Sequence, residues 1–140
     1  DNTISWYDWT LDAEATDFLE FVRYLIELRN THPVLSRRRF FQGRSLRGKG
    51  IKDIAWFGPD GNEMDDSDWN AHFVRSLGMR LLGSENCRAD DRGDPITGDT
   101  LFLAFNAHHE AIRFTLPEHG PSQRWQRLLD TAQAAGQRRN

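Results

Sequence analysis

Residues 101–116 read LFLAFNAHHEAIRFTL, and this stretch decides the fold class of the chain. Its first five residues are all apolar, which is typical of a strand covered on both faces. From Ile112 the pattern alternates between apolar and polar residues, as in an antiparallel strand with one buried face. The five residues 106–110 between them have the length of a hairpin loop. The stretch therefore predicts a β-hairpin.

Similar short apolar stretches surround this hairpin, separated by glycine, proline and acidic turns. We predict strands over residues 39–42, 51–57, 77–82, 101–106, 111–116 and 125–129. Together they fit an antiparallel β-sandwich, a fold of about 100 residues, over residues 36–140. Its predicted core consists of Ile54, Trp56, Leu103, Phe105, Ile112, Phe114 and Leu116.

The N-terminal part of the chain has a helical period instead. Over residues 12–30, apolar side chains recur at spacings of three and four, at Phe18, Phe21, Val22, Leu25 and Leu28. Pro33 ends this pattern, because the residue before a proline avoids the α region. One long α-helix is therefore predicted to precede the β domain, and the fold class is mainly β.

The apolar residues of this helix cover about 220° of a helical projection, which is wider than one interface requires. We expect the helix to contact two bodies. In this chain alone, the second flank and the nearby Trp6 and Trp9 would form an apolar patch of a kind that soluble monomers seldom expose. The chain is expected to hide that patch by self-association, by exchange of the helix between chains, or by folding its N-terminal stretch across the β domain.

Composition restricts the partners. The net charge of −3 argues against nucleic acid or an anionic membrane as a general partner. The single cysteine, Cys87, permits no internal disulfide and favours a reducing compartment, so a cytoplasmic location is expected. The sequence contains no apolar run of membrane-spanning length, and its start lacks the pattern of a signal peptide.

A basic stretch without acidic residues lies between Ser36 and Lys52. It could bind an anion or RNA, but we favour pairing of its side chains with carboxylates of a neighbouring surface. The residues concerned are Arg37, Arg38, Arg39, Arg44, Arg47, Lys49 and Lys52.

No catalytic residue, cofactor or metal site is predicted from the motifs. His109-Glu110 begins like a zinc-protease motif, but Arg113 replaces the second histidine and the setting is a hairpin. His108 and His109 are therefore interpreted as exposed loop residues. The acidic stretch 60–66 places Met64 where a calcium loop needs an oxygen ligand, so it is interpreted as a solvated loop.

Trp6 and Trp9, with Tyr7 and Asp8, form an aromatic cluster beside a carboxylate. Sugar rings stack on such surfaces, but burial in a core or an interface is the interpretation that we favour.

Several short motifs, taken in their order and spacing, resemble the C-terminal part of the isoamylase-type glycogen debranching enzymes of the α-amylase superfamily. The resemblance extends over nearly the whole chain. It rests on Asp1-Asn2, Ser5-Trp6, Asp8-Trp9, Leu28-Arg29, His32-Pro33-Val34-Leu35, residues 37–43 (RRRFFQG), residues 52–57 (KDIAWF), Pro59-Asp60-Gly61, Glu63-Met64, Asp68-Trp69 and residues 105–110 (FNAHHE).

The resemblance implies a parent enzyme that hydrolyses α-1,6 branch linkages of glycogen or limit dextrin, with retention, on a (β/α)8 barrel. It assigns residues 1–35 to the end of that barrel, including its final helix, and residues 36–140 to the C-terminal β-sandwich. In this family the catalytic carboxylates lie upstream of the present sequence, so the chain itself is expected to be non-catalytic.

The substrate-proximal residues implied by the resemblance are Asp1, Asn2, Trp6, Asp8 and Trp9, because such barrels bind substrate at the C-terminal ends of their strands. Two alternatives stay open. One is a carbohydrate-binding module that uses exposed tryptophans, and the other is an interaction domain with a basic patch.

Overall fold

A computed structural model describes residues 2–6, 8–37, 40–44, 52–83, 98–118 and 124–133. Its regular elements are helix α1 (Ala13–Thr31), a single 3-10 turn (Pro33–Leu35), strand β1 (Ile54–Phe57), the one-turn helix α2 (Asp66–Trp69), and strands β2 (Ser76–Leu81) and β3 (Leu101–Asn106). The chain divides into two compact units, Asp1–Arg29 with Gln123–Asn140, and Asn30–Ser122. The division at residues 35 and 36 stays a prediction.

Helix α1 confirms the predicted helix to within one residue at each end. Asp12 precedes it and accepts a hydrogen bond from the backbone N–H of Ala15 through Oδ1, at 2.8 Å, which satisfies one of the free amides of the first turn. Glu14 in the first turn and Arg29 in the last turn suit the helix dipole. The Tyr24 hydroxyl donates to the carbonyl of Leu128, at 2.8 Å, and so fixes a later segment of the same unit to the helix. No helix in the described ranges is long and apolar enough to cross a membrane.

The second unit contains an antiparallel three-stranded sheet in the order β1-β2-β3. Trp56 of β1 lies opposite Met79 of β2, and Met79 lies opposite Leu103 of β3. These three strands confirm the predictions over residues 51–57, 77–82 and 101–106, with shorter bounds for β1. An antiparallel sheet that follows one long helix is thus established.

One face of the sheet is packed around Phe57, which is 6% exposed. The rings of Phe57 and Phe102 meet edge to face with centroids 6.0 Å apart, and the Arg80 guanidinium lies 5.3 Å from the Phe57 centroid. Gly78 lets Phe102 approach the backbone of β2, because a Cβ at this position would lie 2.4 Å from Phe102 Cζ. A side chain at residue 78 would therefore force Phe102 out of its place.

The prediction of core residues is wrong for β1, because it placed the opposite face of this strand inward. Alternation along this strand buries Ala55 and Phe57 and leaves Ile54 and Trp56 half-buried. Among the other predicted core residues, Phe105 is 48% exposed. Leu103 and Phe114 are half-buried, whereas Ile112 and Leu116 are exposed. Since both faces of β1 and β3 carry apolar residues, period-two alternation could not decide which face is the inner one.

The predicted strand at residues 111–116 and its hairpin are wrong. These residues form no strand, and Thr115 donates a single backbone hydrogen bond to the carbonyl of Pro59, at 2.8 Å. Residues 107–110 do not form a hairpin loop that pairs with β3. Instead, the N–H of Ala107 donates a hydrogen bond to the carbonyl of Arg75 at 2.8 Å, which extends the pairing between β3 and β2. The alternating pattern of Ile112, Phe114 and Leu116 therefore marks an irregular segment.

The predicted strands over residues 39–42 and 125–129 are also not found in the described residues. Residues 40–42 contain no strand, and residue 39 lies outside the described residues. Within 125–129 only Leu129 forms a bridge. The described ranges thus contain one sheet, and both the second sheet of a sandwich and the barrel origin of α1 stay predictions.

The carboxylate of Asp53, immediately before β1, holds the loop 40–44 to the sheet. Asp53 is 3% exposed and accepts hydrogen bonds from the backbone N–H groups of Gln42 (3.0 Å), Gly43 (2.9 Å) and Ile54 (3.0 Å). Its own carbonyl accepts from the N–H of Leu82 at 3.0 Å. Gly43 has φ of 63°, a left-handed conformation that glycine adopts without strain. We call this arrangement the Asp53 anchor.

Arg37 completes the anchor. Its Nη2 lies 3.6 Å from Asp53 Oδ2, and its guanidinium lies over the Phe41 ring, 4.1 Å from the centroid. Lys52 forms a second ion pair, with Glu63, in which both side chains are far more accessible to solvent. Arg37 and Lys52 thus pair with carboxylates of their own unit, and the favoured pairing with a neighbouring surface stays a prediction. Arg38, Arg39, Arg47 and Lys49 lie outside the described residues.

Replacement of the two phenylalanines tests which residues form the core. Phe57→Ala should lower the free energy of unfolding by about 3–5 kcal/mol, the usual cost of emptying a buried aromatic site. Phe105→Ala serves as the matched control and should cost clearly less, because half of that ring is already exposed. Urea denaturation followed by circular dichroism measures both. Equal losses would contradict the assignment of Phe57 to the inner face.

The Asp53 anchor predicts that removal of this buried carboxylate lowers stability more than removal of an exposed one. Asp53→Ala should cost about 3–5 kcal/mol, because it leaves the Arg37 charge without its buried partner. The control is Asp66→Ala at an exposed position of α2, where loss of a favourable helix-dipole contact costs less than about 1 kcal/mol. The same denaturation experiment compares the two. A stability loss for Asp53→Ala no larger than that of the control would show that the anchor is dispensable.

Candidate functional site

The N-terminal segment 2–9 contains the residues expected to lie near a substrate. Asn2 forms a turn in which its Oδ1 accepts from the N–H of Ile4 at 3.1 Å and its carbonyl accepts from the N–H of Ser5 at 3.0 Å. Trp6 and Trp9 are exposed, and Trp9 is 82% accessible. Asp1 and Tyr7 lie outside the described residues. Trp6 and Trp9 are therefore not buried in a core of this chain, and their burial in an interface stays a prediction.

Asp8 lies between these tryptophans in the sequence, and its ionised carboxylate is a hydrogen-bond acceptor. Its Oδ1 accepts from the N–H of Thr10 at 2.9 Å. This backbone hydrogen bond, followed by one from the Thr10 side chain, lowers the pKa of the Asp8 carboxyl. A group with a lowered pKa carries no proton to donate near neutral pH. Asp8 can therefore accept a hydrogen bond from a sugar hydroxyl, but it is a poor general acid.

A second aromatic surface lies in the other unit, on helix α2. Asp65 caps α2 through a capping box with Asp68. This fixes the position of Trp69, which is 52% exposed. The rings of Trp69 and Trp56 meet edge to face, with centroids 5.7 Å apart and an interplanar angle of 79°. Trp56 thus supports one edge of Trp69 and leaves part of the ring accessible.

The acidic stretch around α2 uses its carboxylates to hold the backbone. Asp60 accepts from the backbone N–H of Asn62 at 3.1 Å and from its side-chain amide at 2.8 Å, and both bonds lower the pKa of Asp60. The Ser67 hydroxyl, followed by the backbone amides of Asp68 and Ser67, lowers the pKa of Asp65. A glycosidase general acid needs a raised pKa. Asp60 and Asp65 therefore serve the turn and the helix cap rather than proton transfer.

The bend after β3 brings three ligand-type side chains together. The donor atoms of His108, His109 and Glu110 all lie within 4.8 Å of one another. His109 and Glu110 are exposed, as predicted for loop residues, whereas His108 is half-buried. This cluster does not follow the helical zinc motif against which the sequence is compared above, because its ligands are consecutive residues of a bend. Two consecutive histidines beside a glutamate were the signal that could have indicated it.

The described residues that are predicted to lie near a substrate share one exposed segment before α1. Asn2, Trp6, Asp8 and Trp9 all lie within it. Together they offer indole rings, an amide and an ionised carboxylate, which are the groups that bind the faces and hydroxyls of sugars. Contact with a substrate stays a prediction.

Comparison with known proteins identifies relatives of the whole chain. It is 39% identical over 137 residues to the glycogen operon protein GlgX homolog of Mycobacterium tuberculosis, which covers 97% of this chain and 19% of that protein. It is 30% identical over 132 residues to an isoamylase of a Flavobacterium species, covering 94% of this chain and 16% of the relative. For isoamylase 2, chloroplastic, of Arabidopsis thaliana, the identity is 25% over 133 residues.

The chain thus spans less than a fifth of the length of these relatives. Residues 53–139, which contain the whole three-stranded sheet, match the family described as isoamylase, C-terminal. This match covers more than half of the chain and agrees with the resemblance found in the sequence. The chain therefore belongs to the isoamylase C-terminal domain family.

Proposed function

We propose that this chain is the C-terminal part of a glycogen debranching enzyme and that its own role in that enzyme is structural. The observation that carries the proposal is the alignment of 97% of the chain with a protein named for a glycogen operon. The family match of residues 53–139 supports the same assignment. The parent enzyme hydrolyses α-1,6 branch linkages of glycogen or limit dextrin. The present chain stabilises the catalytic domain of that enzyme.

The bonding of the acidic residues supports a structural role. Asp53 anchors a loop, Asp60 closes a turn and Asp65 caps a helix. Retaining hydrolysis needs one carboxylate as a nucleophile and a second as the acid and base, about 5–5.5 Å apart. We place that pair in the part of the enzyme outside this chain. The reaction consumes water and uses no cofactor.

We further propose the domain division that the resemblance implies. Residues 1–35 close the catalytic (β/α)8 barrel, and residues 36–140 form the C-terminal β-sandwich. In such a barrel the segment before the last helix lies at the substrate end. Asp1, Asn2, Trp6, Asp8 and Trp9 would then contact the glucan, with the indole rings against sugar faces and Asp8 accepting hydroxyl hydrogen bonds.

A second candidate function is glucan binding by the chain itself. The observation that favours it is the half-exposed Trp69 ring, which α2 and Trp56 hold in place. A rigid indole loses little entropy when a sugar ring stacks on it, and carboxylates nearby can accept hydroxyl hydrogen bonds. This function is compatible with the first, because a tethered glucan stays close to the catalytic domain.

We place the protein in the cytoplasm, on the basis of its single cysteine. Nucleic acid and membranes are not proposed as partners, because the net charge is −3. The other alternative, an interaction domain with a basic patch, is not favoured, since Arg37 and Lys52 are already paired.

The structural role predicts that the 140-residue chain releases no reducing ends from glycogen above a blank, because it lacks the catalytic pair. A reducing-sugar assay measures this. Release that follows the protein through further purification would contradict the proposal.

Electrophoresis in a glycogen-containing gel tests the second function, glucan binding by the chain itself. Trp69→Ala should abolish the retardation of the protein by glycogen. Trp125→Ala, in the other unit, is the control and should leave the retardation unchanged.

We also propose that the chain alone self-associates through α1. None of the helix residues is buried, and Phe18, Leu25 and Ile26 are exposed. Sedimentation velocity at two concentrations should show a concentration-dependent oligomer. Phe18→Ser with Ile26→Ser should yield a monomer, whereas Arg23→Ser, an exposed polar control on the same helix, should not. A wild-type monomer at both concentrations would contradict self-association.

A further inference from the structure

The three-residue bend 108–110 is held in place by the side chain of Asn106, the last residue of β3. Asn106 Oδ1 accepts from the N–H of His108 at 2.9 Å, and its Nδ2 donates to the carbonyl of Glu110 at 2.8 Å. The hydroxyl of Ser76, a buried residue of β2, also donates to Oδ1 at 2.8 Å. One side chain, itself tied to the sheet, therefore fixes both ends of the bend.

This frame brings three side chains of ligand type close enough that rotation of the exposed side chains would let them share one ion. The rings of His108 and His109 lie 4.1 Å apart with an interplanar angle of 31°. His109 Nε2 lies 3.9 Å from Glu110 Oε1, and all three donor groups fall within 4.8 Å of one another. Two imidazoles and a carboxylate are a donor set preferred by Zn²⁺ and similar divalent ions.

The contacts of the bend by themselves give the cluster little stability. His109 and Glu110 are both exposed, and an exposed pair at this distance contributes little free energy. A divalent cation offers the carboxylate a closer partner and accepts the lone pairs of both rings at once. Exposure also leaves room for water molecules to complete the coordination.

We propose that His108, His109 and Glu110 bind a divalent transition-metal ion of the Zn²⁺ type. The site lies wholly within the second unit, and it is independent of the proposed function. Its frame is the Asn106 side chain, which takes the supporting role that second-layer hydrogen bonds have in metal sites.

The hydrogen bonds of the bend predict which backbone group responds to the ion. His108 Nδ1 accepts from the N–H of Glu110 at 3.1 Å. An ion bound through Nδ1 would take this lone pair and break the hydrogen bond from the Glu110 N–H. The backbone amide resonance of Glu110 should therefore shift more than those of residues remote from the bend.

Titration of the 140-residue chain with ZnCl2 tests the proposal, with calorimetry for affinity and amide NMR for position. His109→Ala and Glu110→Gln, both at exposed positions, should each weaken Zn²⁺ binding about tenfold or more, the scale on which even supporting groups act. His72→Ala, an exposed histidine elsewhere in the same unit, is the matched control and should leave the affinity unchanged.

Circular dichroism confirms that each variant is folded before its affinity is compared. Unchanged Zn²⁺ affinity in both His109→Ala and Glu110→Gln would overturn the site. So would Zn²⁺-induced shifts that centre on His32, His72 or Cys87 and leave the Glu110 amide in place.

Discussion

The buried carboxylate of Asp53 is the interaction on which the rest of the second unit depends. It sits at the junction of three parts of the chain, since it bonds the loop at Gln42 and Gly43, begins β1 at Ile54, and faces the Arg37 guanidinium. A carboxylate removed from water needs such partners, because an unpaired buried charge costs several kcal/mol. The loop, the strand and Arg37 therefore have to assemble together.

Polar side chains set both ends of the sheet in this way. Asp53 precedes β1, and Asn106 ends β3 by bonding Ser76, His108 and Glu110. Between them, Phe57, Phe102 and Arg80 pack over Gly78 on one face. The side chains of Asp53 and Asn106 are thus committed to holding backbone groups at the two ends of the sheet.

Local pattern predicted the helix and three of the six proposed strands. Helix α1 follows from its apolar spacing, from Asp12 at its start and from Pro33 beyond its end. The three strands follow from short apolar runs. At residues 111–116 the alternation was equally clear, yet no strand formed, because pairing with β3 is not supplied there and Thr115 bonds Pro59 instead. A strand is stable only when it pairs with a neighbouring strand, and its own sequence does not show whether such a neighbour is present.

The sequence by itself determined the helix, the three strands and the family, since each depends on local periodicity or on the order of motifs. Only the tertiary structure decided which face of β1 lies inward, because both faces are apolar and their cover comes from distant residues such as Phe102. It also decided that Arg37 meets Asp53 and that His108, His109 and Glu110 converge. Such contacts depend on how the backbone bends and pairs across the chain, which spacing along the sequence does not encode.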